Sequence, residues 1–236
     1  MNADPGNLDL IDVVDATSRY LQSLASLDDG DLRAASLLPG WTRGHVAAHL
    51  ARNADAMTNA VTALHNGTDV FMYSSQEARD AEVESGAGRS AEEMIEDTRS
   101  ACERLVVAVE KLSPALYDAA IPRVPGGEGF LTPRDLPSTR RREVIIHHTD
   151  LGAGFTPSDW PLDFAAAVVT HRHRDLADGG SMVLTATDTG DVWKFGSGGG
   201  PSVSAPAAEL AWWLVGRGDG SALECSAALP TIARWR

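Results

Sequence analysis

The sequence predicts an α+β protein, with an N-terminal four-helix bundle over residues 1–157 and a smaller C-terminal α/β domain over residues 158–236. Three observations predict it. Four long stretches of the first part repeat apolar residues at steps of three or four, the period of one helix face. Strand signals are sparse there. Beyond Pro157 the texture changes to alternating stretches around a turn.

The first helix, residues 8–24, spaces Leu8, Ile11, Val14, Leu21 and Leu24 near the helical period, and "DDGD" ends it. After "SLLPGW", Thr42 can cap a second helix along which Val46, Leu50, Ala54, Met57, Val61 and Leu64 recur, until Gly67 stops it. The third, "SAEEMIEDTRSACERLVVAVEKLSP", opens on a capping box of Ser90 with Glu93 and ends before Pro114. Its stripe is Met94, Ala101, Leu105, Val109 and Leu112. The fourth holds "RREVIIHHTDLG" and finishes at "LGAGFTP", where Gly152, Gly154 and Pro157 cannot sustain a helix. Pro137 falls early in this helix and is expected to break or delay its start. In the second domain a helical run over roughly 162–177 precedes a β-hairpin in "SMVLTATDTGDVWKFG". A glycine-rich loop, the strand candidate "PSVSA", the helix "AAELAWWLVGR" and a tail complete the chain.

At 236 residues, 43% hydrophobic and 22% charged, the chain can bury a good core, which argues against disorder and a fibrous class. No run approaches the ~20 apolar residues that cross a bilayer. The opening "MNADPGNLDLIDVV" has neither a positive leader nor a cleavable apolar segment, so a cytoplasmic protein is expected. A net charge of -13 opposes a broad nucleic-acid footprint, which draws on clustered Lys and Arg. Local basic spots at "TRRRE" and "HRHRD" could serve small anions, although such runs are more often solvated helix faces. Cys102 and Cys225 are far apart and form no CxxC pair; core packing in a reducing compartment is expected of both. The working expectation is a monomer acting on a small molecule.

"RREVIIHHTDLG" interrupts a greasy run with ionisable groups, and a buried carboxylate needs a partner. Glu143 and His147 are four apart, about 40° from each other on a helix, and share the apolar sector, whereas His148 points elsewhere. On the second helix His49 lies nearer the apolar stripe than His45, which reads as a rim or capping residue. Asn53 lies close to that stripe and is a candidate support for His49. His49, Glu143 and His147 together form a two-His, one-Glu set that suits a divalent cation such as zinc and leaves a fourth position open. The same spacing also fits a plain hydrogen-bonded His–Glu pair in a helix interior. Asp150, one turn beyond His147, is either a group that orients a ligand or a solvated helix-end acid.

Three stretches, "LLPGWTRGHVAAHLARNADAM", "MYSSQEARDAEV" and "RREVIIHHTDLGA", resemble the mycothiol-dependent maleylpyruvate isomerases of actinobacteria, within the DinB-like metal-binding bundles. A fourth, weaker likeness is "LVGRGDG". The resemblance implies a DinB-like bundle with zinc on His49, Glu143 and His147. It also implies mycothiol as thiol cofactor and a functional Arg217, a residue otherwise readable as a cation at a helix C-terminus.

The implied reaction turns maleylpyruvate into fumarylpyruvate during gentisate breakdown. A zinc-activated thiolate adds to the cis olefin, the adduct rotates about what is now a single bond, and elimination returns the thiol. Arg217 would engage a carboxylate of substrate or cofactor. Two other readings stay open: a mycothiol S-transferase acting on another electrophile, and a non-enzymatic metal- or ligand-binding module.

Overall fold

A computed structural model describes residues 8–175, 181–197 and 199–232. The chain forms two compact units, Met1–Phe155 and Thr156–Arg236. The first contains α1 (Ile11–Leu24), α2 (Asp29–Arg33), α3 (Arg43–Asn66), α4 (Gln76–Gly86), α5 (Ala91–Glu110), the short strands β1 (Ile121–Pro122) and β2 (Gly129–Leu131), and α6 (Leu136–Asp150).

The four long helices are those the periodicity predicts. Helix α3 packs on α5 and α6, and α1 packs on α6 and α5. Their buried faces hold Val46, Leu50, Met57, Met94, Leu105, Val144 and Ile146. The end signals act as their chemistry requires. Thr42 accepts from the His45 backbone, Gly67 closes α3 in the left-handed region at φ 66°, and Ser90 and Glu93 cap each other.

Three local readings are corrected. "DDGD" does not end the first helix, which stops at Leu24; Asp28 and Asp31 instead form a reciprocal capping box that opens the five-residue α2. Helix α1 begins at Ile11, whose N–H donates to the Asp9 carboxylate at 2.9 Å. Pro137 neither breaks nor delays α6. It occupies the first turn, where its missing N–H has no intrahelical partner to lose.

The far end of α6 is anchored to the start of α3. Leu37 N–H donates to the Asp150 carbonyl at 2.8 Å. Arg43 donates from Nε to the Leu151 carbonyl at 3.0 Å and from Nη2 to that of Gly152 at 2.9 Å. These donors satisfy carbonyls that a helix terminus leaves unpaired. They also fix α3 and α6 side by side where both carry histidines.

The second unit contains α7 (Leu162–Asp175), β3 (Met182–Ala186), β4 (Val192–Phe195), β5 (Ser202–Ala205), α8 (Ala207–Leu214) and β6 (Glu224–Cys225). The sheet order is β4-β3-β5-β6. β3 and β4 form the predicted hairpin, Met182 opposite Phe195, while β5 runs parallel to β3 and antiparallel to β6. Alternation along β3 sends Met182, Leu184 and Ala186 inward, and Phe164, Val168 and Leu210 are buried as well. Arg172, in the basic stretch "HRHRD", is buried and donates from Nε to the Leu214 carbonyl at 3.0 Å. The side chains after it in that stretch lie outside the described residues, as do 1–7 of the N-terminus, 176 and 177 of the predicted helix, 198 of the glycine loop and 233–236 of the tail. No helix among the described residues is long and apolar enough to cross a membrane.

Candidate metal site

The structure brings His49, Glu143 and His147 together. Helix α6 presents Glu143 and His147 one turn apart, and α3 presents His49 opposite them. His49 Nε2 lies 3.0 Å from Glu143 Oε2, and His147 Nε2 lies 3.6 Å from the same oxygen. One donor atom from each residue falls within 4.8 Å of the others. A tetrahedral ion with bonds of about 2.0–2.1 Å needs ligand atoms about 3.3 Å apart, so the two close distances bracket the required edge. The donor types also suit zinc. Residues and spacing therefore fit the ion.

The surroundings set the protonation of this group. Arg79, on α4, donates from Nη2 to His49 Nδ1 at 3.1 Å, which makes Nδ1 an acceptor and leaves the ring proton on Nε2, facing Glu143. Burial holds the His49 imidazole neutral, pushing its pKa down to about 4 against the opposing bond to Glu143. Burial acts the other way on Glu143. The His49 hydrogen bond and the charges of His49, His147 and Arg140 together overcome it and hold the carboxyl down at about 2. At neutral pH the group is thus one carboxylate with neutral His49 beside it, the charge state a cation requires, and a metal on Nε2 would move the ring proton to Nδ1.

Neighbouring groups orient these donors. Asp150, fully buried, lies with Oδ2 2.9 Å from His147 Nδ1. It is an interior partner of the triad rather than a solvated acid. The Trp41 ring meets the His49 ring edge to face, with centroids 5.7 Å apart. His45 caps α3 through Nδ1, 2.7 Å from Thr42 Oγ1, and its Nε2 reaches Glu84 at 3.1 Å, which makes it a capping and rim residue. Asn53 is bonded to Arg140, whose Nη1 donates to Asn53 Oδ1 at 2.7 Å. His148 turns away to Ser23 and stacks on Phe155.

Sequence reasoning missed Arg79, Tyr73 and Arg140. Arg140 belongs to "TRRRE", yet it is 1% exposed, and its Nη2 also donates to Cys102 Sγ at 3.4 Å. Arg141 pairs with Asp12 at 3.0 Å, so these two arginines tie α6 to neighbouring helices, while Arg142 donates within α6 to Thr139 Oγ1 at 3.2 Å. Tyr73 is buried, and its hydroxyl is held protonated first by burial and then by the charge of Glu143. Tyr73 and Arg79 both come from "MYSSQEARDAEV"; resemblance singles that stretch out, but its polar periodicity does not.

Arg217 belongs to the second unit. It is half-buried, follows α8, and donates its backbone N–H to the Trp212 carbonyl at 3.2 Å. Gly216 and Gly218 flank it at φ 71° and 64°. A side chain at Gly218 would also press on the Trp212 ring, at 2.9 Å from Cδ1, so the turn that presents Arg217 depends on glycine there.

A helical bundle carrying a two-His, one-Glu donor set, followed by a small α/β unit, defines the class of this protein. Residues 13–152 match the family described as Mycothiol maleylpyruvate isomerase N-terminal domain, and the chain belongs to that family. Two crystal structures are similar over 96% of this chain and 95% of theirs. One is of the mycothiol-dependent maleylpyruvate isomerase, 29% identical with a TM-score of 0.83. The other is of a histidine-to-alanine mutant of that isomerase, 28% identical with a TM-score of 0.83. No curated protein sequence matches the chain.

Proposed function

We propose that this chain isomerises maleylpyruvate to fumarylpyruvate with mycothiol as cofactor and zinc on His49, Glu143 and His147. The observation that carries the reading is the convergence of three zinc-type donors from α3 and α6, all within 4.8 Å of one another, in a chain of this family. Zinc held there would supply one piece of chemistry, the acidification of a bound thiol. Mycothiol supplies the sulfur nucleophile that lets the cis double bond become single long enough to rotate.

The chain's own residues do the rest. Glu143, anionic at neutral pH, contributes charge to the cation, while His49 and His147 contribute lone pairs. Asp150 fixes the ring orientation of His147. Trp41 shields one side of His49. Arg217 binds a carboxylate through the parallel N–H bonds of its guanidinium. A cytoplasmic setting belongs to this reading, and there Cys102 and Cys225 would stay free thiols.

The test joins metal analysis of the purified protein to an assay of maleylpyruvate with and without mycothiol. One zinc per chain and thiol-dependent formation of fumarylpyruvate, with the thiol recovered, are expected. Turnover without thiol, or consumption of one thiol per turnover, overturns the reading. His49→Ala is expected to lose zinc and activity together; a variant that keeps stoichiometric zinc refutes the ligand set.

A further inference from the structure

The stretch "MYSSQEARDAEV" provides none of the proposed metal ligands, yet it delivers a cation to their edge. Ser75 caps α4 by accepting from the Ala78 N–H at 3.1 Å, and α4 lies close against α3. A Cβ built on Gly86 would stand only 2.9 Å from Ala48 Cβ. That close approach brings Arg79 to His49.

The hydrogen bonds of Arg79 are unevenly used. Nη1 donates to Asp80 Oδ1 at 2.7 Å, and Nη2 donates to His49 Nδ1 at 3.1 Å. Nε is buried and has no hydrogen-bond partner among the described residues. A buried donor left without an acceptor is costly. Nε and Nη2 form one side of the planar guanidinium, the side that matches the two oxygens of a carboxylate. On that side Nε is unpaired, and Nη2 meets the triad at His49.

The bond to His49 is also conditional. If His49 offers Nε2 to a metal, the ring proton sits on Nδ1, which then no longer accepts from Arg79. Both donors of the Nε–Nη2 edge then lack an acceptor. Asp80 does not compete for it: its carboxylate is 59% exposed, bound at Nη1 and shared with Gln76, and such a solvated pair holds its partner weakly. Arg140, the guanidinium whose charge reaches Glu143, is buried and committed to Asn53 and Cys102.

We propose that Arg79 is a substrate-binding residue of this site, its Nε–Nη2 edge taking a carboxylate of the substrate beside the metal triad. The inference rests on the function proposed above and deepens it by naming the group that recognises the anion.

Arg79→Met and Arg79→Lys in the full-length, zinc-loaded protein test it. Zinc content, KM and kcat with maleylpyruvate at saturating mycothiol, KM for mycothiol, and calorimetric binding of succinate, a dicarboxylate with no double bond, are measured. Arg79→Met is expected to keep one zinc per chain, to raise KM for maleylpyruvate at least tenfold, to leave KM for mycothiol within twofold, and to weaken succinate at least tenfold. Arg79→Lys, which keeps charge without the fork, is expected to fall between. Unchanged KM and succinate affinity in Arg79→Met overturn the proposal, as does wild-type protein that binds no succinate. Loss of zinc in Arg79→Met, with normal kinetics restored by added zinc, overturns it too, since Arg79 would then only support His49. Wild-type protein that binds succinate through Arg79 but does not isomerise maleylpyruvate defeats the reaction assigned above and not this site.

Discussion

Glu143 lies where burial alone would keep a carboxyl protonated, and it ionises because imidazoles and a guanidinium surround it. The protein without metal should report this through pH. His49 has a folded pKa of about 4 against 6.5 when unfolded, so between those values the unfolded chain binds the extra proton and stability falls as pH falls. Glu143, at about 2 against 4.5, adds stability above pH 4.5 that is lost as pH drops through its folded value. Both slopes have the same sign. Thermal unfolding of chelator-treated protein should therefore show Tm falling by several degrees from pH 7 to pH 4.5, less steeply in His49→Gln. An equal slope in that variant would assign the effect to other groups. Asp150 acts one shell further out. Asp150→Asn keeps the volume but removes the charge beside His147 Nδ1, and zinc affinity is expected to drop about 10–100-fold by competition with a chromogenic chelator. An unchanged affinity would mean that packing alone orients that ring.

Among the helices, the close contact of α3 and α4 governs how the site is framed. Gly44, in the first turn of α3, faces the end of α4 so tightly that a Cβ there would collide with the Ala87 carbonyl oxygen. Gly44→Ala should therefore cost about 1–3 kcal/mol in urea unfolding, the range for overpacking, although alanine is the better helix former. A neutral or stabilising result would mean that α4 shifts freely. The same contact explains what the sequence reveals and what it hides. Helices α3 and α5 are legible because each buries its apolar stripe and opens on a capping box, whereas α1 has the predicted period but buries Val13, Ala16 and Tyr20 and exposes Ile11 and Val14, and α6 is buried on all sides over 144–150. Helix α4 is not legible, because among its eleven residues only Val83 and Gly86 are buried, too few to make a stripe. The strands β1 and β2, two and three residues long, are too short to alternate. The triad is legible because Glu143 and His147 interrupt an apolar face of α6 and His49 borders that of α3. Arg79 is hidden because an arginine on a polar helix looks solvated until α4 is seen against α3. Arg140 misleads for the opposite reason, since a run of three arginines suggests solvent while the middle of α6 is interior.

Across the whole chain, the labour divides between two units with separate cores. The first contains the entire triad and nearly all of the matched family region, residues 13–152. The second packs Phe164, Leu184, Phe195, Val203 and Leu210 around its own sheet and carries Arg217 on the turn after α8. A net charge of -13 opposes the approach of a dianionic substrate, so turnover depends on cations placed locally. If Arg217 is one of them, metal binding and catalysis should come apart cleanly. Residues 1–155 expressed alone are expected to fold cooperatively and hold one zinc, measured by thermal unfolding and metal analysis, yet to give no detectable fumarylpyruvate. Arg217→Ala in the full chain should reproduce that loss of turnover with zinc unchanged, because it removes the charge and leaves both cores intact. Turnover near the full rate in either would show that cations of the bundle suffice to bind the anion, whereas loss of zinc in Arg217→Ala would show that the second unit supports the metal itself.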